Sequence, residues 1–305
     1  MLSLTTAVLT GCNLLGLSED DNNDDTTTLA AVLSLANTAY TVNFTAVDAN
    51  NTAFSCGNTI ASNGADAAGN VSATYTPEDL RLYISSISLL DFSGNAVPVT
   101  MSDDGVWQYQ GSALLDFEDG TGNCATSLLN GATTATNRSI NFTAPAGNYM
   151  GIRLTMGLPY ALNQLDNSTA ASPLNINAMY WNWTAGFKFI KFEFRDADSK
   201  ASFHLGSQSC TGITMTDCSQ PYRPTFDITS STGFNPATDM VALDLNALLK
   251  NFPSSFTDSS GESFKRCMVN ASDADCAKLL TNLGLDTTTG GASGTTSTVF
   301  RIMNN

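Results

Sequence analysis

The strongest constraint on this chain is a hydrophobic period of two, broken into short runs by polar turns. Tyr40, Val42, Phe44 and Ala46 alternate with Thr41, Asn43 and Thr45, the pattern of a strand with one apolar face. Leu82 and Ile84, then Ile87 and Leu89, alternate on either side of Ser85-Ser86, where the phase slips by one as at a β-bulge. Ile152, Leu154 and Met156 run up to Gly157, and Pro159 follows soon after. Phe187 and Phe189 give way to Ile190, Phe192 and Phe194 after a second slip, with Lys188, Lys191, Glu193 and Arg195 on the other face. Val241, Leu243 and Leu245 repeat the pattern, and Thr298 to Ile302 reads as a last strand. Helical signals are few. Thr76-Pro77-Glu78-Asp79 reads as a cap followed by proline in a first turn. Ala271 to Leu283 has room for one short helix beside Cys276. The expected fold is all-β, an antiparallel β-sandwich or related barrel with short helices.

Composition narrows what such a fold can do. The chain has 305 residues, 42 % of them hydrophobic, enough for a sizeable core. Only 13 % are charged, so Ser, Thr, Asn and Gly must make up much of the surface. Lys+Arg 13 against Asp+Glu 28 gives a net charge of −15, which disfavours a phosphate-binding surface and therefore nucleic acid as a partner. A single histidine excludes HExxH zinc hydrolysis, three-histidine sites and histidine-pair relays. No P-loop is present, and Gly206-Ser207-Gln208-Ser209 is not a GxSxG elbow. An enzyme is not expected.

The N-terminal residues point to a compartment. Met1 to Gly11 carries no charge and is too short to span a bilayer. It leads into Leu9-Thr10-Gly11-Cys12, which resembles a bacterial lipobox whose cysteine is acylated after cleavage of the signal. No Lys or Arg precedes the apolar stretch, a departure from the usual signal. The run from Glu19 to Thr28 is acidic and polar, the composition of a solvated tether. The expected organisation is a signal with lipobox at 1–12, a tether and lead-in at 13–39 and one β domain at 40–305. Residues 251–291 within that domain read as an insertion, and Gly290 to Ser297 as a flexible connector. No later segment has the apolar length of a membrane helix, so a lipid would be the only anchor. The expected location is the bacterial cell envelope, on the periplasmic or surface side of the outer membrane.

Apart from Cys12, six cysteines remain: Cys56, Cys124, Cys210, Cys218, Cys267 and Cys276. An even number outside the cytoplasm points to disulfides. Cys210 and Cys218 are near neighbours, as are Cys267 and Cys276, so two local bridges would leave Cys56 and Cys124 as a long-range staple. The bridge at Cys267 and Cys276 would close the C-terminal insertion. A metal–thiolate cluster is the competing reading, but no CxxC pair occurs.

From about residue 40 to 245 the motif order is specific. It comprises Phe54-Ser55-Cys56-Gly57, TPEDLRLYISSISLLDFSG at Thr76 to Gly94, Trp107-Gln108 and LLDFEDGTGNC at Leu114 to Cys124. AGNYMGIRLTMGLPYALNQLDNSTAASPLN at Ala146 to Asn175 follows, then MYWNWTAGFKF at Met179 to Phe189 and FHLGSQSC at Phe203 to Cys210. Cys218 with Pro221-Tyr222-Arg223-Pro224 closes the set. Together they resemble the MbnP-like copper-binding proteins, the four-cysteine partners of a metallo-mystery pair. The four family cysteines match Cys56, Cys124, Cys210 and Cys218. The resemblance implies an extracytoplasmic β-protein that binds copper. It also implies a partner resembling the MauG-type di-haem cytochrome c peroxidases, which oxidises a tryptophan, here Trp181 or Trp183, to kynurenine.

The residues support part of this chemistry. Imidazole suits copper, and a neighbouring thioether would favour Cu(I). Phe203 and Leu205 should face away from His204, while Ser202 and Gly206 share its face and leave space beside the ring. Met179, Trp181 and Trp183 fall on one face if their stretch is extended. Gln164, in Leu162-Asn163-Gln164, stands where the resemblance leads one to expect a histidine, and its amide oxygen is a weaker copper ligand. The expected metal set is therefore His204, Gln164 and Met179. The alternative is a structural or adhesive surface lipoprotein without metal, with His204 and the Trp-x-Trp pair simply packed in the core. The run Asp116-Phe117-Glu118-Asp119-Gly120 offers oxygen ligands for calcium, although its spacing is not that of an EF-hand.

Overall fold

Alternating apolar side chains give two sheets that share one core. The computed structural model describes residues 37–62, 73–125, 134–182, 184–196, 199–210, 218–253, 263–268 and 273–304. Cys12 with its lipobox, the acidic run 19–28 and Trp183 lie outside them. The chain divides into units Met1–Asn37 and Thr38–Asn305, and the fold described is that of the second. Strands are numbered in chain order.

The smaller sheet runs β17 (Phe300–Met303), β15 (Met240–Asp244), β1 (Asn37–Val47), β8 (Ser139–Pro145) and β5 (Thr100–Met101). The larger one has the main order β14 (Thr225–Phe234), β9 (Tyr149–Met156), β3 (Ala73–Leu90), β12 (Ile190–Arg195), β13 (Lys200–Leu205) and β16 (Phe264–Cys267). The short strands β2 (Ile60–Ser62), β4 (Ala96–Pro98), β6 (Gln108–Tyr109) and β7 (Ser112–Asp116) join it around β3. A separate hairpin pairs β10 (Tyr180–Asn182) with β11 (Gly186–Phe187). Neither large sheet closes on itself, so the fold is a sandwich and not a barrel. Most pairings are antiparallel as expected, but β1–β15 and β13–β16 are parallel. A long connection between non-adjacent strands allows that, and no alternation pattern encodes it.

The core between the sheets contains Val42, Phe44, Phe142, Val241 and Leu243 from the smaller sheet. From the larger sheet come Leu82, Leu89, Ile152, Leu154, Phe192 and Phe203. Phe226 and Phe300 meet edge to face at 4.8 Å, linking the two sheets at their rims. The anticipated slip at Ser85-Ser86 is present: the β3–β9 register shifts between Ser85 and Ser88, and Ser86 has φ 53°. The helical turn expected at Thr76-Pro77-Glu78-Asp79 does not form. These residues continue β3, and its register with β12 slips there, so that Pro77 faces Phe194 and Asp79 faces Glu193. Proline is tolerated at such an irregularity because no ladder hydrogen bond depends on its missing N–H.

Three short helices are seen among the described residues: α1 (Tyr160–Asn163), α2 (Leu245–Leu248) and α3 (Ala274–Asn282). Helix α3 lies within the span expected from Ala271 to Leu283. Asp273 caps it by accepting from the backbone N–H groups of Asp275 and Cys276. Disulfides join Cys56–Cys124, Cys210–Cys218 and Cys267–Cys276. The last ties β16 to α3, so residues 251–291 supply both an edge strand of the larger sheet and its adjoining helix.

Candidate metal site and its buried charges

The outer face of the larger sheet carries a second layer. Tyr83 and Leu114 point away from the main core and pack with Leu158, Leu162, Leu174, Met179, Phe187 and Phe189. The segment after β9, through α1 to β11, thus covers one half of this face with apolar side chains. The other half is charged. Asp116, Arg81, Lys191 and His204 lie directly opposite one another across β7, β3, β12 and β13. One step along, Asp79, Glu193 and Ser202 form a second row. Side chains so placed on one face are in reach of each other.

All of these groups are buried, from 0 % exposure for Asp79 and Arg81 to 6 % for His204. Buried charges must be paired, and here the pairing runs along the sheet. Arg81 grips Asp79, with Nε donating to Oδ1 at 2.9 Å and a second arm to Oδ2. Asp79 also accepts from Lys191 Nζ. Lys191 Nζ stands 3.2 Å from Glu193 Oε1, and that oxygen lies 2.9 Å from His204 Nε2. On the other side of Arg81, Glu118 Oε1 is 3.7 Å away.

The charges are not balanced one for one. Burial, with Glu118 and Asp79 nearby, pushes the Asp116 carboxyl up to about 8 despite Arg81. Burial alone would raise Glu193 as well, but the hydrogen bond with His204 and the Lys191 ammonium hold it down to about 2. Burial pulls His204 below its ordinary value; Glu193 opposes this, and Lys191 and Lys188 add to it. The balance disfavours a charge on the ring. Its Nδ1 is buried and has no hydrogen-bond partner.

Trp181 and Lys188 complete the surroundings. The sequence suggested open space beside His204 at Gly206. Instead, a Cβ at Gly206 would meet the Trp181 ring at 2.7 Å and the Phe187 carbonyl at 2.6 Å. The missing side chain makes room for an indole, which is half-buried against the main core. Lys188 Nζ lies 6.0 Å from the Trp181 ring centre and donates to the carbonyls of Ala178 at 2.7 Å and Tyr180 at 3.1 Å. Burial, then Lys191, lowers this amine to about 8.

The remaining candidates are placed as follows. Met179 ends a 3₁₀ turn at Asn177–Met179 and is fully buried in the outer apolar cluster. It therefore does not share one extended face with Trp181, because the strand begins only at Tyr180. Gln164 caps the C-terminus of α1, and its Nε2 is buried without a partner. No hydrogen bond joins Gln164 to His204, but both segments meet the β10–β11 hairpin. Asn163 Oδ1 accepts from Phe187 N–H at 2.9 Å, its Nδ2 donates to the Ala185 carbonyl at 3.2 Å, and Gly206 abuts the Phe187 carbonyl. Gly186, with φ 76°, cannot take a side chain there, since its Cβ would fall 2.2 Å from the Asn163 carbonyl oxygen. Tyr160 of α1 also donates to the Cys210 carbonyl at 3.4 Å.

The Asp116–Gly120 run is divided. Asp116 and Glu118 are buried beside Arg81, while Asp119 bonds the backbone and hydroxyl of Thr121. The sulfurs of Cys56 and Cys124 lie within 4.8 Å of a Glu118 oxygen, but they are joined as a disulfide and offer no thiolate. Glu193, Asp79, Arg81, Lys188 and Asn163 were not expected at the site. The available signal was Lys191 and Glu193 on one face of a strand next to the strand of His204.

Comparison with known proteins agrees with this architecture. No curated protein sequence matches the chain. Among solved structures, MbnP from Methylosinus trichosporium superposes with a TM-score of 0.72 at 24 % identity, covering 88 % of this chain and 99 % of that one. This likeness is one of fold. The sequence profile of the MbnP family matches residues 37–269. The chain therefore belongs to the MbnP family.

Proposed function

We propose that this MbnP-family chain is a copper-binding protein of the bacterial cell envelope, and that His204 supplies the nitrogen that holds the metal. The observation that carries the reading is the buried imidazole whose Nδ1 has no partner. Such an atom fits a metal ligand, and imidazole suits copper. Gln164, through its side-chain amide oxygen, and Met179, through its thioether, are the further donors proposed for the set. In this reading the chain acts as a binding protein and not as a catalyst: the ionisable groups around His204 are paired with one another. In the same reading Trp181 or Trp183 is converted to kynurenine by a MauG-like di-haem partner. Trp181, half-buried against Gly206, is the one whose surroundings are described. An acylated Cys12 would anchor the protein to the membrane. Among the described residues no helix is long and apolar enough to cross one.

A copper titration of the mature protein, made with and without its oxidase, tests the reading. The native protein binds copper, His204→Ala does not, and Gln164→His binds more tightly because a nitrogen replaces an amide oxygen. Unchanged binding in His204→Ala would remove the proposed ligand. If the native protein takes up no copper even when co-expressed with the oxidase, the structural or adhesive surface lipoprotein is the better account. Membrane partitioning that survives Cys12→Ser would dismiss the lipid anchor.

A further inference from the structure

We propose that Glu193 is the positioning residue of the His204 site: its carboxylate takes the Nε2 hydrogen and fixes the ring as the Nε2–H tautomer, leaving the Nδ1 lone pair for a cation. This deepens the reading of His204 as a copper ligand and rests on it.

The geometry allows little else. Glu193 Oε1 and His204 Nε2 are 2.9 Å apart. A carboxylate has lone pairs and no hydrogen, so the hydrogen between them must come from the ring. If the single hydrogen of the neutral ring sat on Nδ1, two lone pairs would face each other across that distance. The Nδ1–H would also point into a buried position where nothing accepts it. With the hydrogen on Nε2, only the Nδ1 lone pair is left unmet, and a metal ion meets it. The partner of the non-ligating nitrogen sets which nitrogen binds metal in this way.

Glu193 can do this because it is itself held. Lys191 Nζ lies 3.2 Å from the same Oε1, Asp79 holds Lys191, and Arg81 holds Asp79 through two arms. The chain of pairs starts on β3, crosses β12 and ends on His204 of β13. Each member occupies its place because neighbouring strands present it on the same face of the sheet. Glu193 touches no metal in this scheme; it acts through the imidazole.

The lone histidine makes the test direct. In the full-length protein with ¹⁵N-labelled histidine, a long-range proton–nitrogen NMR correlation at neutral pH reports one ring only. The Nε2–H pattern is expected for the metal-free native protein, and an Nδ1–H pattern would overturn the proposal without any variant. Added Cu(I) alone should shift the Nδ1 resonance most. Glu193→Gln, whose amide both donates and accepts, should give mixed tautomers and copper affinity lower by about 10–100-fold. Glu193→Asp should restore the Nε2–H pattern in part. If Glu193→Gln stays folded, keeps one tautomer and binds copper as tightly as the native protein, Glu193 does not position the ring. If the native protein shows the Nε2–H tautomer but binds no Cu(I), the tautomer assignment stands and the copper reading fails.

Discussion

Strand β12 has two faces that are about equally buried and chemically opposite. Phe192 is 0 % exposed on the side of the main core, and Lys191 and Glu193 are 2 % and 5 % exposed on the other. The inner face is stabilised by area: each apolar side chain contributes by leaving water, largely independently of its neighbours. The outer face is stabilised only as a set. Desolvating each charge costs several kcal/mol, and the pairing offsets this while every partner is in place. Apolar side chains could fill such a face without that cost, and under the proposed function the row serves to hold the His204 ring for a metal.

The largest effects come from breaking each face once. Asp79→Ala leaves Arg81 and Lys191 buried without their shared carboxylate and should cost about 4–5 kcal/mol. Phe192→Ala opens a cavity in the inner core and should cost about 4 kcal/mol. Denaturant unfolding of both variants checks the pair. An Asp79→Ala protein as stable as the native would show that the outer charges are solvated and that the comparison is mistaken.

The next effect is steric. Gly206→Ala forces a methyl group against Trp181 and the Phe187 carbonyl, and should cost about 1–3 kcal/mol by overpacking. In a Trp181→Ala background the ring contact is gone, and the same change should cost less. Equal costs in the two backgrounds would mean that Trp181 does not fill the space beside His204.

A smaller effect depends on pH. The Asp116 carboxyl is raised from its ordinary range to about 8 in the folded protein. Between about pH 5 and 7 the folded chain therefore binds a proton there that the unfolded chain has lost, and stability falls as pH rises. His204 is lowered and Glu193 is held at about 2, so both work in the opposite sense. The contribution of Asp116 is isolated by comparison with Asp116→Asn. Native stability should decline relative to that variant by on the order of 1 kcal/mol per pH unit across this window. Parallel curves would place Asp116 outside the charge set.

The smallest change is expected from replacing a set instead of breaking it. Asp79→Leu, Arg81→Met, Asp116→Leu, Glu118→Leu, Lys191→Leu, Glu193→Leu and His204→Leu together exchange the whole set of buried ionisable groups for apolar volume. Unfolding measurements should find the combined variant within about 2 kcal/mol of the native protein, or more stable. A loss as large as that of Asp79→Ala alone would show that the charges themselves carry the fold.

The inner face was legible in the sequence because alternation with a period of two encodes it directly. Val42, Phe44, Leu82, Phe192 and Val241, which follow that alternation, all lie in the main core, as does Phe203, expected to face away from His204. The outer face was not, because Lys191 and Glu193 alternating with Phe192 and Phe194 read the same whether water or protein covers them. What covers part of that face is the α1 and β10–β11 excursion, a long-range placement that no local pattern carries. Thr76-Pro77 misled for a related reason. A cap-and-proline signature is local, and the pairing of β3 with β12 overrides it. At the site, His204 stood out by being alone, whereas Glu193 is identified only by the strand pairing that brings it there.

The proposed copper site rests on one imidazole, bound through Nδ1. Pulsed EPR of the Cu(II)-loaded protein, prepared once with natural-abundance and once with ¹⁵N-labelled histidine, tests it most directly. The account predicts the signature of a single coordinated imidazole, with the remote-nitrogen coupling changing on labelling and vanishing in His204→Ala. Tightly bound copper whose spectrum is unaffected by the label would contradict it.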